Sequence, residues 1–354
     1  MTRTISSLMF GALCVTATHL AFAETKLEHW PPEAAARIDA MIEQNRGREH
    51  AYAVFDMDNT SYQFDITESL LPYLENKGVL TRENLDPALK LIPFKDAEGQ
   101  PESLFSYYYR LCEIDDLVCY PWIAQSFAGL SLEELKRNVD EMLAEGKPVP
   151  THYYDGDDYV EYQVEPPRLF AGMQELYNRL QENGIEVYVV TAANEEIVRM
   201  VASDPRYGYN VPPEHVIGVN TLLKDPESGE LTTSRFAIRD GVYDQAASQR
   251  MVLTSYLVNP MTWFEGKLGT IYGWIDQWNK PVLVAGDTSG SDGYMLLNGT
   301  DIEQGGVRVW VTRSASHTER MREWRSRSAE QQRAAGAQPS ADLNWIEVAP
   351  EELH

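Results

Sequence analysis

The chain is poor in basic residues. Lysine and arginine number 30 against 54 aspartates and glutamates in 354 residues, which gives a formal net charge of −24. A field of that sign repels nucleic acid and anionic membrane surfaces and attracts cationic ligands. We therefore expect no nucleic-acid partner and no membrane partner, although a charge of this size can also serve solubility alone.

Long apolar runs are absent outside the N-terminus. Arg3 gives that segment a positive start, an apolar stretch begins near Leu8, and Ala21-Phe22-Ala23 supplies small residues before the acidic chain that follows. This pattern is typical of a secretory signal peptide. The stretch is too short for a retained membrane span, and it contains His19. We predict that residues 1–23 are a leader cleaved after Ala23 and that the protein is exported, either periplasmic or secreted.

Cysteine is scarce as well. Three are present, and cleavage of the leader removes Cys14, which leaves Cys112 and Cys119. An even pair in an exported protein is a disulfide candidate. On one continuous helix the two would be about 10.5 Å apart along the axis, which is beyond bridging distance. A bridge therefore requires a turn, for which Glu113–Asp116 is suited. We favour a Cys112–Cys119 disulfide, with two reduced core cysteines as the alternative.

Apolar strands alternate with amphipathic helices through most of the chain. The clearest strand-like runs are Tyr52–Phe55, Ile185–Val190, Pro281–Ala285 and Val307–Val311. This alternation predicts an α/β fold with a mostly parallel sheet covered by helices on both faces.

The block between the first two of these strands is helical or irregular and rich in aromatic residues. Thr67 is placed to cap its first helix. We predict a core formed by residues 24–65 and 160–354, with residues 66–159 inserted as a mainly helical cap.

The strand at Tyr52–Phe55 runs directly into two aspartates, Asp56 and Asp58, in a polar turn. Open α/β folds place their ligands at the carboxyl ends of the strands. Two carboxylates at that position suggest a hard cation beside a nucleophile or a proton donor. The alternative is a strand that simply ends in an Asp-rich turn. The residues at the ends of the other strands distinguish a ligand site from such a turn.

A second pair of aspartates, Asp287 and Asp292, follows the strand at Pro281–Ala285. Parallel pairing brings this strand end to the same edge of the sheet as the first. Asp56, Asp58 and Asp287 together form the oxygen-rich ligand set that Mg²⁺ prefers, with room for water and a phosphate oxygen.

A third strand end offers groups that bind anions. Thr191 carries a hydroxyl, and the backbone amides of Ala192 and Asn194 lie where a helix is expected to begin. A cation is needed to balance a phosphoryl group, and the two candidates are Lys267 and Lys280. Lys280 begins its strand and so lies at the opposite edge of the sheet, whereas Lys267 opens the preceding helix; we therefore choose Lys267.

These residues resemble the motifs of the haloacid dehalogenase superfamily of phosphohydrolases. Four motifs occur in order, namely Asp56-Met57-Asp58-Asn59-Thr60, Thr191, Lys267 and Gly286-Asp287-Thr288-Ser289-Gly290-Ser291-Asp292. The resemblance covers about residues 50–310 and implies a Rossmann-like core with an inserted, mainly helical cap of the C1 type. Within the superfamily, these motifs and the export signal are most similar to the secreted phosphatases that act on phosphorylcholine.

The resemblance also implies roles for single residues. Asp56 would attack phosphorus and form an aspartyl-phosphate, and Asp58 would protonate the leaving alcohol and then activate water. Thr191 and Lys267 would orient the phosphoryl oxygens. Supporting roles fall to three residues: Asn59 and Thr60, which shape the turn, and Asp292, which would support Mg²⁺ from outside its ligand sphere or hydrogen-bond Lys267.

The substrate is expected to be a small phosphomonoester with a cationic leaving group. Aromatic side chains recognise quaternary ammonium ions through cation–π contacts, and we predict such a cage among cap residues Tyr107, Tyr108, Tyr109, Tyr120 and Trp122. The alternatives are a broad-specificity acid phosphatase, a phosphatase for other amino-alcohol phosphates, a phosphotransferase and a choline-binding protein on an inactive scaffold. The sequence does not specify an oligomeric state.

Overall fold

A computed structural model describes residues 24–97 and 99–354. The predicted leader and its cleavage site after Ala23 lie outside these residues. Within the described ranges, none of the helices combines the length and the apolar character that a membrane crossing requires.

The described residues form twelve α-helices: α1 (Pro32–Asn45), α2 (Ile66–Asn76), α3 (Leu104–Ile114), α4 (Asp116–Gln125), α5 (Leu132–Glu145), α6 (Ala171–Glu182), α7 (Glu195–Ala202), α8 (Ser234–Arg239), α9 (Gln245–Ser248), α10 (Glu265–Thr270), α11 (Ser289–Tyr294) and α12 (Ala315–Ala334). Two of the helices, α10 and α11, run on into π-helical turns at Ile271–Ile275 and Met295–Gly299.

The same residues form twelve strands: β1 (Tyr52–Phe55), β2 (Tyr62–Gln63), β3 (Val149–Asp155), β4 (Asp158–Val164), β5 (Arg168–Leu169), β6 (Glu186–Asn194), β7 (Val216–Lys224), β8 (Leu231–Thr232), β9 (Val252–Val258), β10 (Leu283–Gly286), β11 (Val307–Val311) and β12 (Trp345–Val348).

The central sheet has the strand order β12-β11-β10-β1-β6-β7, and all six strands are parallel. Two antiparallel strands, β8 and β9, extend it beyond β7. In β1, Phe55 pairs with Ala285 of β10 on one side and with Val189 of β6 on the other, so β1 and β10 end close to the same level while β6 continues to Asn194. The prediction of a mostly parallel α/β sheet is therefore confirmed, and β1 lies at its centre.

Helices cover both faces of the sheet, and β1 shows why its four residues are all apolar. Ala53 and Phe55 belong to one core cluster, with α1 and α6, whereas Tyr52 and Val54 belong to a second cluster that includes Met321 of α12. A parallel strand buried on both faces reads as a continuous apolar run rather than an alternating one.

The cap consists of α2 to α5 together with a hairpin, β3 and β4, that the sequence did not reveal. Ser103 Oγ donates to the carbonyl of His152 at 2.7 Å, so the hairpin packs on the first turn of α3. The predicted division between residues 159 and 160 falls inside β4. The first cap helix begins two residues earlier than predicted, because Asp65, rather than Thr67, caps it by accepting from the Glu68 amide.

The predicted disulfide between Cys112 and Cys119 is present. Asp115, in extended conformation, ends α3 and caps the start of α4, and this turn brings the two Cα atoms to 4.9 Å. The chain thus turns within the segment that the cysteine spacing required.

Candidate active site

Four neighbouring parallel strands bring residues to one cavity at the carboxyl edge of the sheet. Asp56 and Asp58 follow β1, Ala192 lies near the end of β6, Asp287 follows β10, and Arg313 follows β11. The cavity has a volume of about 150 Å³, and the cap closes its far side. The sheet edge that the sequence predicted to bind a ligand is therefore the floor of this cavity.

The turn after β1 is fixed by its own side chains. The Met57 amide donates to Asp56 Oδ1 at 2.8 Å, and Ser61 Oγ donates to the Asp56 carbonyl at 2.6 Å. Asn59 has a φ of +57° and accepts from the Phe64 amide at 3.0 Å, and asparagine tolerates this left-handed conformation. Met57, between the two aspartates, is fully buried in the core.

Lys267 lies between two aspartates. Its Nζ is 2.8 Å from Asp56 Oδ1 and 2.6 Å from Asp292 Oδ1, and its side chain is completely buried. Burial by itself lowers the pKa of Lys267, but the attraction of Asp292 and Asp56 outweighs it, so that the pKa is raised and the ammonium keeps its charge. Lys267 therefore lies where the sequence placed it, in contact with the proposed nucleophile.

Asp292 supports both Lys267 and the loop after β10. Its second oxygen, Oδ2, accepts hydrogen bonds from the amides of Asp287 at 2.9 Å and Thr288 at 3.0 Å. A Cβ at Gly286 would lie 2.6 Å from Asp292 Cβ, so only glycine allows this close approach. Both Asp292 oxygens thus have partners in the protein. The residue therefore positions Lys267 and the loop and is not available to react.

Asp287 is buried and has two partners. Thr60 Oγ1 donates to its Oδ1 at 3.0 Å, and Arg313 Nε lies 2.5 Å from its Oδ2. Burial raises the pKa of Asp287 to about 7, although Arg313 acts in the opposite direction. Thr60 therefore supports a carboxylate, in addition to its place in the turn.

Asp58 faces the cavity from the other side of the turn. Its Oδ1 accepts from the Ile66 amide at 2.9 Å, at the start of α2. Burial, followed by repulsion from Asp65, raises the pKa of Asp58 well above its usual range. A carboxyl that retains its proton is suited to protonate a leaving group.

The carboxylates fit a hard divalent cation. Oxygens of Asp56, Asp287 and Asp292 approach within 4.8 Å of one another, and burial raises the pKa of Asp56 well above its usual range. Asp287 Oδ2 is buried and lacks a well-aligned hydrogen bond, even though it is paired with Arg313. Because Asp292 is engaged elsewhere, Asp56 and Asp287 are the carboxylates available to Mg²⁺. Asp58 lies outside this three-residue cluster, so its predicted place in the ligand set has no support from the side-chain geometry.

The predicted anion-binding residues have different positions. Ala192 lines the cavity, as does Ala193, whose amide donates to Thr191 Oγ1 at 3.2 Å. The Asn194 side chain makes two structural hydrogen bonds. It accepts from the Glu196 amide at 3.0 Å at the start of α7, and it donates to the Ala124 carbonyl of the cap domain at 3.0 Å. Asn194 therefore ties the cap to the core and does not line the cavity.

The wall formed by Ala192 and Ala193 rests on Gly218 of β7. A Cβ at Gly218 would lie 2.8 Å from the Ala193 carbonyl oxygen, and the Gly218 amide donates to the buried Glu195 carboxylate at 3.0 Å. The position of this wall thus depends on glycine at residue 218.

We expect Gly218→Ala to raise the inhibition constant of inorganic phosphate roughly tenfold, because the added methyl displaces Ala193. The same change should lower the free energy of unfolding by about 1–3 kcal/mol, as overpacking does. Gly306→Ala is the matched control. Its Cβ would meet the Asp301 carbonyl oxygen at 2.6 Å, at the opposite edge of the sheet. Gly306→Ala should lose stability but keep the inhibition constant of phosphate. An equal rise of that constant in both variants would contradict the assignment of Ala192 and Ala193 to the phosphate site.

The cavity is also lined by acidic and aromatic residues that follow the aspartate turn in the chain. Asp65, Glu68, Tyr108 and Tyr120 line it, and the Tyr108 hydroxyl donates to Glu68 Oε1 at 3.0 Å. Burial, and then repulsion from Asp65, raises the pKa of Glu68 to about 7. Sequence reasoning missed both carboxylates, although Glu68 lies on the first helix after the aspartate motif and faces the same edge.

The predicted aromatic cage is corrected at three positions. Tyr107 is buried in the cap, where its hydroxyl donates to the Ile92 carbonyl at 2.9 Å, and Trp122 Nε1 donates to the Leu89 carbonyl at 2.8 Å. Tyr109 is exposed and its ring packs against that of Tyr153. Of the five candidates only Tyr108 and Tyr120 reach the cavity, because successive helical residues point in different directions.

Comparisons with known proteins place these features in a family. The chain is 57% identical over 345 residues to the phosphorylcholine phosphatase of Pseudomonas aeruginosa, an alignment that covers 98% of each protein. The chain belongs to the phosphorylcholine phosphatase family. No family model matches it. A solved structure of a functionally unknown protein from Anaerococcus prevotii shares the fold, with a TM-score of 0.54 and 20% identity over 91% of this chain and 96% of that one.

Membership in the phosphorylcholine phosphatase family confirms the resemblance that the four motifs carried. The chain is therefore a phosphoric monoester hydrolase. The alternative of a choline-binding protein on an inactive scaffold is not supported. Residues of the first and last motifs line one cavity at the carboxyl edge of the parallel sheet, and Lys267 contacts both motifs.

Proposed function

We propose that the protein is a Mg²⁺-dependent phosphomonoesterase that hydrolyses phosphorylcholine to choline and phosphate through an aspartyl-phosphate. One observation carries the proposal: a single cavity is lined both by the aspartate motif and by Glu68 with two tyrosines. The motif suits a phosphoryl group, and the carboxylate with its tyrosines suits a compact cation. The high identity to a phosphorylcholine phosphatase supports the same substrate.

In the first step an Asp56 oxygen attacks phosphorus and the bond from phosphorus to the choline oxygen breaks. Lys267 and the Met57 amide both contact Oδ1, so Oδ2 is the oxygen free of these contacts. Asp58 donates its proton to the departing choline oxygen. In the second step Asp58 takes a proton from water, which attacks phosphorus, releases phosphate and restores Asp56.

Mg²⁺ would supply positive charge at the phosphoryl oxygens and beside the attacking carboxylate. Asp56 and Asp287 are the carboxylates placed to hold it, with Thr60 and Arg313 orienting Asp287. Lys267 keeps Asp56 in place and balances part of the local negative charge.

The trimethylammonium group of the substrate is proposed to lie against Tyr108, Tyr120 and Glu68. Tyrosine faces attract quaternary ammonium ions, and a nearby carboxylate adds Coulomb attraction that a partly buried site strengthens. Tyr120 is held from the core side, where its ring lies parallel to that of Phe264, with centroids 6.1 Å apart. The ammonium end is thus built from cap residues that the core supports.

Changing Glu68 to glutamine tests this assignment. The amide can still accept from Tyr108 but carries no charge, so we expect kcat/KM for phosphorylcholine to fall roughly 10- to 30-fold. The value for p-nitrophenyl phosphate, which has no cation, should stay within about threefold on the same grounds.

Glu133→Gln removes an exposed cap carboxylate far from the cavity lining and serves as the control. Equal losses for both substrates in Glu68→Gln would contradict a cation site at Glu68. If the wild type also treats phosphorylcholine, phosphoethanolamine, phosphoserine and p-nitrophenyl phosphate alike, the enzyme is a broad-specificity phosphatase.

We also propose that the protein is exported. The leader pattern in residues 1–23 supports this, and so does the Cys112–Cys119 disulfide, because such bonds persist in oxidising compartments.

A further inference from the structure

Arg313 has no counterpart in the motifs that the sequence analysis identified. It follows β11, the strand beside β10, and its side chain reaches the cavity lining next to Asp287. The rule that located the aspartates applies to it as well, because the carboxyl end of a fourth parallel strand lies at the same edge of the sheet.

The charges around the cavity give Arg313 a particular place. Five carboxylates line the cavity, those of Asp56, Asp58, Asp65, Glu68 and Asp287. Lys267 does not line it and is buried between Asp56 and Asp292. Among the described residues, Arg313 is therefore the cationic side chain in the lining, and an anionic phosphomonoester has to enter past the carboxylates.

The geometry leaves part of the Arg313 guanidinium available. Its Nε is 2.5 Å from Asp287 Oδ2, and the side chain is 32% exposed. A guanidinium has five donors in a rigid fork, so contact through Nε leaves the Nη groups for another acceptor. Such a fork matches two oxygens of a phosphoryl group better than an ammonium does.

We propose that Arg313 binds the phosphoryl oxygens of the substrate and of the phosphate product while it orients Asp287 through Nε. The inference rests on the proposed function in that the ligand is a phosphomonoester dianion. Since the contact is to the phosphoryl group, it is independent of the leaving group, unlike the contact made by Glu68.

The test uses the full chain with Mg²⁺ and measures inorganic phosphate binding by calorimetry in the wild type, Arg313→Gln and Arg313→Lys. We expect Arg313→Gln to weaken phosphate binding roughly 10- to 100-fold, in line with the loss of charge-assisted hydrogen bonds. Arg313→Lys should restore part of the affinity but not all of it. Choline binding, measured in the same way, should not weaken in Arg313→Gln, because the loss of a positive charge that acts on Glu68 cannot reduce the attraction of that carboxylate for a cation.

Arg322→Gln is the matched control, because Arg322 also pairs with a carboxylate, that of Glu347 at 2.8 Å, on α12 away from the cavity lining. Steady-state kinetics should show KM rising for phosphorylcholine and p-nitrophenyl phosphate alike in Arg313→Gln. Unchanged phosphate binding in Arg313→Gln, or a loss confined to phosphorylcholine, would overturn the proposal. A wild type that releases no phosphate from any ester would instead overturn the proposed function.

If Arg313 only orients Asp287, a titration with Mg²⁺ alone would show weaker metal binding in Arg313→Gln, and Arg313→Lys would bind phosphate as poorly as Arg313→Gln. That pattern too would overturn the phosphate-binding role. Melting temperatures of all variants, measured without ligand, separate these outcomes from a loss of folding.

Discussion

Asparagine in place of Asp56 is expected to lower kcat for phosphorylcholine by on the order of 10⁴-fold or more, as for the loss of other catalytic nucleophiles. The amide is a poor nucleophile, and it also loses the charge that pairs with Lys267 at 2.8 Å. Phosphate release measured in steady state gives the size of the effect. Asp157→Asn, at the exposed tip of the cap hairpin, should leave kcat unchanged.

The covalent step has a separate signature at the same residue. Borohydride added during turnover should reduce an acyl-phosphate at Asp56 to homoserine, which peptide mass spectrometry detects. The modified residue should be absent without substrate and absent in Asp56→Asn. A substantial residual rate in Asp56→Asn would show that water attacks phosphorus directly.

Replacing Lys267 by methionine is expected to abolish activity and to destabilise the protein by about 3–5 kcal/mol, because it leaves the buried carboxylates of Asp56 and Asp292 without their cation. Chemical denaturation at neutral pH measures the second effect. Lys280→Met is the control, since Lys280 is exposed at the opposite edge of the sheet and should change stability by no more than about 0.5 kcal/mol. Similar losses in the two variants would contradict the role given to Lys267.

The positions of the aspartates could be predicted from sequence because the order and direction of the strands determine which residues lie at one edge of the sheet. Once β1 and β10 are recognised as parallel strands, their carboxyl ends lie at one edge, and Asp56 must approach Asp287. The choice of Lys267 over Lys280 used the same reasoning and agrees with the contacts. The disulfide was favoured because the cysteine pair lies in a chain predicted to be exported, and its seven-residue spacing required the turn that Asp115 provides.

The cap was harder to predict because its residues are placed by packing rather than by a strand end. The run Tyr107-Tyr108-Tyr109 gives no sign of which ring faces the cavity, and only the contacts of α3 with its neighbours select Tyr108. The hairpin formed by β3 and β4 was missed because most of its strand residues are half-buried or exposed and lack a clear alternating pattern.

Arg313 was missed for a different reason. Its strand was recognised, but none of the four motifs includes an arginine after that strand. The charges at the predicted anion site indicate the need for a second cationic side chain, because the aspartates on either side of Lys267 neutralise it.

The most direct test of the account is the rate of phosphate release by the purified wild-type protein from phosphorylcholine and from p-nitrophenyl phosphate, with Mg²⁺ and after chelation. The account predicts release that depends on Mg²⁺ and a kcat/KM for phosphorylcholine at least about tenfold higher, as a cation site of roughly 1.4 kcal/mol would give. Release that survives chelation, or equal kcat/KM values for the two esters, would contradict it.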